Sequence, residues 1–151
     1  MTKFPENMDD LIMRAKGQPP IRVAVAAADQ GLVLKTVQEA TSLGLIEAVL
    51  IGNPDAILKS ANDSGVKVSD SDIIAIDDQS MVAARAVELV KSGDADAVMK
   101  GRIHTDTLMR ALLDSKSGLR RPDKRVSHVF IVDVPTYPKL LAVTDAAINI
   151  A

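Results

Sequence analysis

From residue 21 onward, short runs of Val, Ile and Ala alternate with segments whose apolar residues recur at helical spacing. A strand that is apolar at successive positions has no polar face to offer water, so it must be covered on both sides. The intervening helices supply that cover, and a strand that returns through a helix lies parallel to the one before it. The alternation commits the chain to the α/β class: a three-layer αβα arrangement around a mostly parallel sheet.

The first strand is expected over 21–28, interrupted only by Arg22, and its helix over 31–42, with Val33, Val37 and Ala40 turned inward and Gly44 as the stop. A second strand over 46–51 turns through Gly52-Asn53-Pro54 into a helix over 55–62 that Gly65 ends. A third strand is expected over 73–76. Ser80 can cap the helix after it, whose buried stripe is Val82, Ala86, Leu89 and Val90 and whose end is Gly93. A fourth strand over 95–99 leads into Lys100-Gly101-Arg102-Ile103-His104 and a helix over 105–113. Residues 115–125 are polar and basic, a loop or crossover. Beyond them 126–134 is expected as a long strand, 135–138 as a turn, and 140–143 as an antiparallel return. Upstream, Met8, Leu11, Ile12 and Ala15 share a helical face over 8–16, expected to cover part of the sheet, with Gly17 behind it as a stop. The closing run 146–151 is apolar and has no polar tail, as expected of a chain cut inside a larger protein.

A length of 151 residues suffices for one core and argues against a second independent domain. The absence of cysteine removes thiol nucleophiles, disulfides, zinc-thiolate sites and iron–sulfur clusters, and it favours a reducing, cytoplasmic setting. Phe4, Phe130 and Tyr137 are the whole aromatic complement, too little stacking surface for a single-stranded nucleic-acid binder. No apolar run approaches the roughly 20 residues of a membrane helix. His104 and His128 fall on separate elements and the carboxylates are scattered, so no metal site is expected.

In an open parallel sheet, ligands bind beyond the carboxyl ends of the strands. Asp29-Gln30-Gly31 occupies such a position, but an acid argues against a phosphate directly above it, and an ordinary capped turn accounts for these residues. The second such loop has more chemistry in it. Lys100-Gly101-Arg102-Ile103-His104-Thr105 places two cations and a glycine at the start of a helix, with Thr105 available as its cap. Free amides, the positive end of the helix dipole, and Lys100 or Arg102 together suit an anion. Residues 99–125 hold eight cations and three acids, a net +5 against −2 for the whole chain, so the remainder carries −7. Such segregation draws anions to one surface, and a small phosphate compound fits the negative total better than DNA; a solubilising loop is the other reading. No GxGxxG, GxxxxGK[ST] or GxSxG is present, which disfavours a dehydrogenase, a P-loop protein and a serine hydrolase.

The segments VMKGRIHTDTLMRALLD (98–114), GLR (118–120) and RVSHVFIVDVPTYPKLLAVTDAAINIA (125–151) resemble the phosphate acetyl/butyryl transferase family, as do AAADQGLVLKTVQEA and IGNPDAI nearer the start. The resemblance covers nearly all of 20–151 and implies the N-terminal half of a longer enzyme. It implies a fold like that of isocitrate and isopropylmalate dehydrogenases with an incomplete second domain, and a homodimer with its site in an interdomain cleft. Acyl-CoA and inorganic phosphate are the implied substrates, with no permanently bound cofactor. Carried onto this sequence, Lys100, Gly101, Arg102, His104 and Thr105 form the phosphate-side loop. Arg110 is a second anion clamp or a solvent-facing helix residue, and Arg120 contacts phosphate or CoA. Ser127 and His128 line the cleft, while Thr144, Asp145 and Asn149 organise its floor or satisfy backbone groups. The thiol-activating base is implied to lie in the later half, so no catalytic residue is assigned here. Some relatives carry this module behind an enoyl-CoA hydratase-like domain. A noncatalytic CoA- or phosphate-binding module is the rival expectation, and a self-associating piece that binds nothing well is a third.

Overall fold

The computed structural model describes residues 4–121 and 123–145. They gather into two compact units, one over Pro19–Arg120 and the other joining the described residues up to Gln18 to those from Arg121. In chain order the elements are α1 (Met8–Lys16), β1 (Ile21–Ala26), α2 (Gly31–Ser42), β2 (Ile46–Gly52), α3 (Pro54–Ser64), β3 (Ile73–Ala75), α4 (Gln79–Ser92), β4 (Ala97–Lys100), α5 (Thr105–Leu113), β5 (Val129–Val132) and β6 (Leu141–Thr144).

The larger unit is the α/β body that the alternation predicts. Its sheet runs β3-β2-β1-β4, parallel throughout. Alternate residues of β1 point to opposite faces, and the two faces have different cover. Val23 and Val25 pack with Leu34 and Val37 of α2 and Ile57 and Ala61 of α3. Ala24 and Ala26 pack with Val82, Ala83, Ala86 and Leu89 of α4 and Leu108 of α5. Residues 23–28 are at most 6% exposed, so the double cover inferred from an all-apolar strand is what the fold provides. Alanine against alanine on the second face lets the α4 backbone approach the sheet closely.

Helix ends follow local chemistry. Asn53 accepts from the Ala56 amide at 2.9 Å to start α3, and Gly65 and Gly93 take left-handed conformations behind α3 and α4. The cap of α4 is Asp78, not Ser80. Its Oδ1 accepts from the amides of Ser80 (2.9 Å) and Met81 (3.0 Å) and from the Ser80 hydroxyl. The Ser80 hydroxyl bond first, then the Met81 amide, hold the Asp78 carboxyl below the ordinary carboxylate range. A carboxylate accepts several donors at once, so it prevails over the hydroxyl two residues on. Likewise α5 is capped from position His104 and not Thr105, and the His104 side chain makes no capping bond.

Four strands are shorter than their apolar runs, β3 by the single residue Ile76. β1 stops at Ala26 because Ala27 is left-handed (φ 59°), although the apolar run continues to Ala28. β4 starts at Ala97, two residues later than expected, after Asp96 has exchanged 2.7 Å hydrogen bonds with Arg22. β5 covers only Val129–Val132, since its pairing with β6 ends at Val129 opposite Thr144 and the next residue, Asp145, is left-handed (φ 57°).

In the smaller unit β5 and β6 form the expected antiparallel pair. Helix α1, expected to cover part of the sheet, is grouped with this unit. None of its residues is buried, and it clusters with the hairpin, the Met8 amide donating to Asp133 at 2.9 Å. Among the described residues no helix is long and apolar enough to cross a membrane.

The turn after α5 is organised by one carboxylate. Asp114 Oδ1 accepts from the Ser117 amide (2.7 Å), the Ser117 hydroxyl (2.7 Å) and the Lys116 amide (2.9 Å), which lower its pKa to about 2. A depressed pKa contributes stability above the unfolded value and loses it as pH falls through the folded one. The Ser117 amide resonance should therefore titrate with a midpoint near 2 in an NMR pH series; a midpoint at the ordinary 3.8 would contradict this turn.

Candidate functional site

The strand order creates the site. Passing through α2 and α3, the chain moves from β1 to β2 to β3 in one direction, and α4 then carries it back to the other side of β1. Between β1 and β4 the helices leave toward opposite faces, so the loops beyond these two strands diverge and leave a crevice. A pocket of about 390 Å³ lies there, lined by Gln30, Gln79, Lys100, Gly101, Arg102, Ile103 and His104.

Backbone contacts hold its floor. The Gly101 amide donates to Ala26 O and the Arg102 amide to Ala27 O, both at 2.8 Å, while Ala27 N bonds Ile51 O at 2.9 Å. Gly101 is buried here, and a Cβ would meet the carbonyl oxygens of Ala26 and Ala27. Glycine is thus required for the loop to lie this close to β1.

The pocket is basic, with its cations under different constraints. Arg102 donates from Nε (3.1 Å) and Nη2 (2.5 Å) to Oδ2 of Asp29, and this hydrogen bonding first, then the Asp29 charge, raise the arginine pKa above its ordinary value. Lys100 has no carboxylate partner among the described residues, and its ammonium reaches only the Gly101 carbonyl at 3.4 Å. Three helices begin at the pocket: α4, whose first residue is Gln79, is capped by the Asp78 carboxylate, whereas α2 from Gln30 and α5 from His104 have no side-chain cap. Their first-turn amides add positive potential to that of the two cations. The arrangement suits a small anion. Of the expected phosphate-side residues, Lys100, Gly101, Arg102 and His104 line this pocket, and Thr105 opens α5 beside it.

The other expected residues lie elsewhere. Arg110 is exposed on α5 and pairs with Asp106 at 2.9 Å, and Arg120 is exposed at the end of the same unit. Ser127, His128, Thr144 and Asp145 belong to the smaller unit. There the His128 ring meets Phe130 edge-on at 3.9 Å with its Nδ1 buried and unbonded, and Thr144 Oγ1 donates to Asp145 at 3.3 Å. Asn149 lies outside the described residues. Sequence reasoning missed Gln79 and the use of Asp29. The signal for both was position, because each follows the carboxyl end of a strand, Asp29 in the loop after β1 and Gln79 at the start of α4 after β3. No group of three or more His, Asp or Glu among the described residues is placed to hold a metal ion.

A doubly wound α/β unit with a basic loop at its switch point is an arrangement suited to small anionic ligands. No family model matches the chain. Phosphate butyryltransferase of Clostridium beijerinckii is 40% identical over 144 residues, 95% of this chain and 47% of that protein. Phosphate acetyltransferase of Rickettsia felis is 39% identical over 142 residues, 93% of this chain and 40% of its own. Among solved structures, a branched-chain phosphotransacylase from Enterococcus faecalis superposes with a TM-score of 0.66 at 30% identity, over 87% of this chain and 45% of that one. A phosphotransacetylase from Streptococcus pyogenes shares the fold at 17% identity, with a TM-score of 0.66 over 83% of this chain and 47% of its own. Over the stretch it spans, the chain resembles the phosphate acetyl/butyryl transferase family. It spans about half the length of the curated relatives it matches.

Proposed function

We propose that this chain carries one wall of a phosphate acyltransferase site, where an acyl group passes between coenzyme A and inorganic phosphate. The observation that carries the reading is the basic pocket between β1 and β4, where Lys100, Arg102 and two uncapped helix starts converge.

Towards acyl phosphate, a phosphate oxygen attacks the thioester carbonyl, the new C–O bond forms as the C–S bond breaks, and the phosphate proton passes to the departing thiolate. The obstacle is bringing a dianion to the carbonyl in the right orientation. Lys100 and Arg102 hold the phosphate, Gly101 keeps the loop low enough for backbone amides to reach it, and His104 and Thr105 complete that side. Arg110 serves as a second clamp by exchanging Asp106 for the anion, and Arg120 contacts phosphate or CoA. Ser127, His128, Thr144, Asp145 and Asn149 take the CoA-side roles that the family resemblance implies for them. The base acting on the CoA thiol belongs to the part of the family's length that this chain does not cover. CoA and phosphate are substrates, with no resident cofactor. The protein works in the cytoplasm as a homodimer, apart from nucleic acid and membranes.

Calorimetric titration with phosphate tests the pocket, and Arg102→Ala should weaken binding about tenfold, as expected for loss of a charge-assisted contact. Release of CoA from acetyl-CoA and butyryl-CoA with phosphate, followed in this chain and in a version extended past Ala151, tests the reaction. Turnover confined to the extended version supports the reading. Binding without turnover in either version favours a noncatalytic binding module, and no phosphate binding at all refutes the site.

A further inference from the structure

We propose that Asp29 is a positioning residue of this pocket: its carboxylate grips one edge of the Arg102 guanidinium and aims the remaining donors at an incoming phosphate-class anion. The proposal deepens the phosphate reading of the pocket and rests on it for the identity of the anion.

Asp29 lies between β1 and α2 with its side chain 15% exposed, whereas that of Arg102 is 67% exposed. Both contacts, from Nε at 3.1 Å and Nη2 at 2.5 Å, go to the same oxygen, Oδ2. A guanidinium has five N–H donors, and the two used here lie along one edge. The Nη1 pair and the second Nη2 hydrogen remain for a ligand. An arginine already held in place loses less freedom on binding than a mobile one. The backbone beneath it is equally fixed, since the Arg102 amide is bonded to Ala27 O.

Nothing in the fold requires Asp29 otherwise. An aspartate at such a turn would be expected to cap the following helix, as Asn53 and Asp78 do for α3 and α4. Yet α2 starts from Gln30 without a side-chain cap, and the hydrogen bonds of the Asp29 carboxylate all go to Arg102 among the described residues. Its Oδ1 is buried and accepts no hydrogen bond from the described residues, a cost to folding that brings no local benefit. What the carboxylate provides is the placement of the arginine. It also removes the objection to an acid in this loop, because the negative charge is neutralised at the edge of the pocket.

The test is a double-mutant cycle with inorganic phosphate as the probe, read by calorimetry on the parent chain, Asp29→Asn, Arg102→Ala and the double variant. The Arg102 Nε–H NMR resonance is followed in parallel. Asp29→Asn should weaken phosphate binding roughly fivefold in the parent, have no effect in the Arg102→Ala background, and shift or broaden the Nε–H resonance. Asp29→Glu, which restores the charge, should recover part of the affinity. Equal losses in both backgrounds, tighter binding by Asp29→Asn, or an unchanged Nε–H resonance would each overturn the proposal. A parent chain that binds no phosphate while its Nε–H resonance still depends on Asp29 would support the positioning of Arg102 and overturn only the phosphate reading.

Discussion

Gly101→Ala is expected to destabilise the larger unit by about 3–5 kcal/mol, combining overpacking of about 1–3 kcal/mol with two strained backbone hydrogen bonds of about 1 kcal/mol each. The added methyl would overlap Ala27 O and lie 2.7 Å from Ala26 O and 2.8 Å from the Ala27 carbonyl carbon. These are backbone atoms of a buried strand end, so they cannot rotate away. The loop must rise, and the bonds from Gly101 to Ala26 and from Arg102 to Ala27 lengthen with it. Thermal denaturation should show a fall in Tm of roughly 15–25 °C for a unit of this size, and phosphate binding should be lost in the folded fraction. Gly31→Ala provides the comparison. Its methyl would also meet a neighbour, but the clashing atom is the Ser64 hydroxyl, which can turn aside. Since Gly31 is the first residue of α2, the change should stay within about 1 kcal/mol in either direction. Equal stability losses for the two alanines would mean that the contact of Gly101 with β1 is not what restricts that position.

Ile57→Ala should cost about 3–4 kcal/mol, within the range for truncating a fully buried isoleucine. Ile57 is 0% exposed and sits among Val25, Leu34, Leu50 and Ala61 on the α2/α3 face of the sheet. Its Cδ1 lies close to where a Cβ on Gly52 would stand, at the turn from β2 into α3. Closing the cavity would require α3 to move toward a sheet whose strands are locked in register, so the neighbours relax only partly. Denaturant titration should show a lower midpoint with an unchanged slope. Phosphate affinity of the folded protein should stay within about twofold, because the Arg102 loop is fastened to β1 and packs with the opposite cluster through Ile103. The two substitutions therefore separate stability from site geometry: Gly101→Ala affects both and Ile57→Ala affects stability alone. A tenfold loss of phosphate affinity in Ile57→Ala would show that the α2/α3 face shapes the pocket.

Most of the architecture was legible because burial leaves a local periodic trace. The bounds of α1, α2 and α5 fall where the spacing places them, and Gly65 and Gly93 mark helix ends because a left-handed stop is chosen within one turn of chain. Two of the misjudged ends share a cause. Ala27 and Asp145 adopt left-handed conformations although neither is glycine, so composition predicted a longer β1 and β5 than the backbone allows. Asp78 displaced Ser80 as a cap because two plausible caps stood two residues apart, and only the hydrogen-bond geometry distinguishes them. At the site, the basic loop was legible as charge beside a glycine, whereas the partner of Arg102 was not. Asp29 stands 73 residues away, and no local pattern records that pairing.

The sequence by itself determined the class of this protein: parallel strands, helical cover on both sides, and a cationic turn at a helix start. Each of these follows from the residue types within a few turns of chain. Only the tertiary structure decided which loops meet. The return of α4 to the far side of β1 puts β4 beside β1 and brings Lys100 and Arg102 to the end of the strand that carries Asp29. That choice depends on the packing of α4 and α5 alanines and leucines against a particular face of the sheet, a sum of contacts between distant segments. Local patterning specifies what must be buried, and the crossover of α4 specifies what is placed side by side at the open edge.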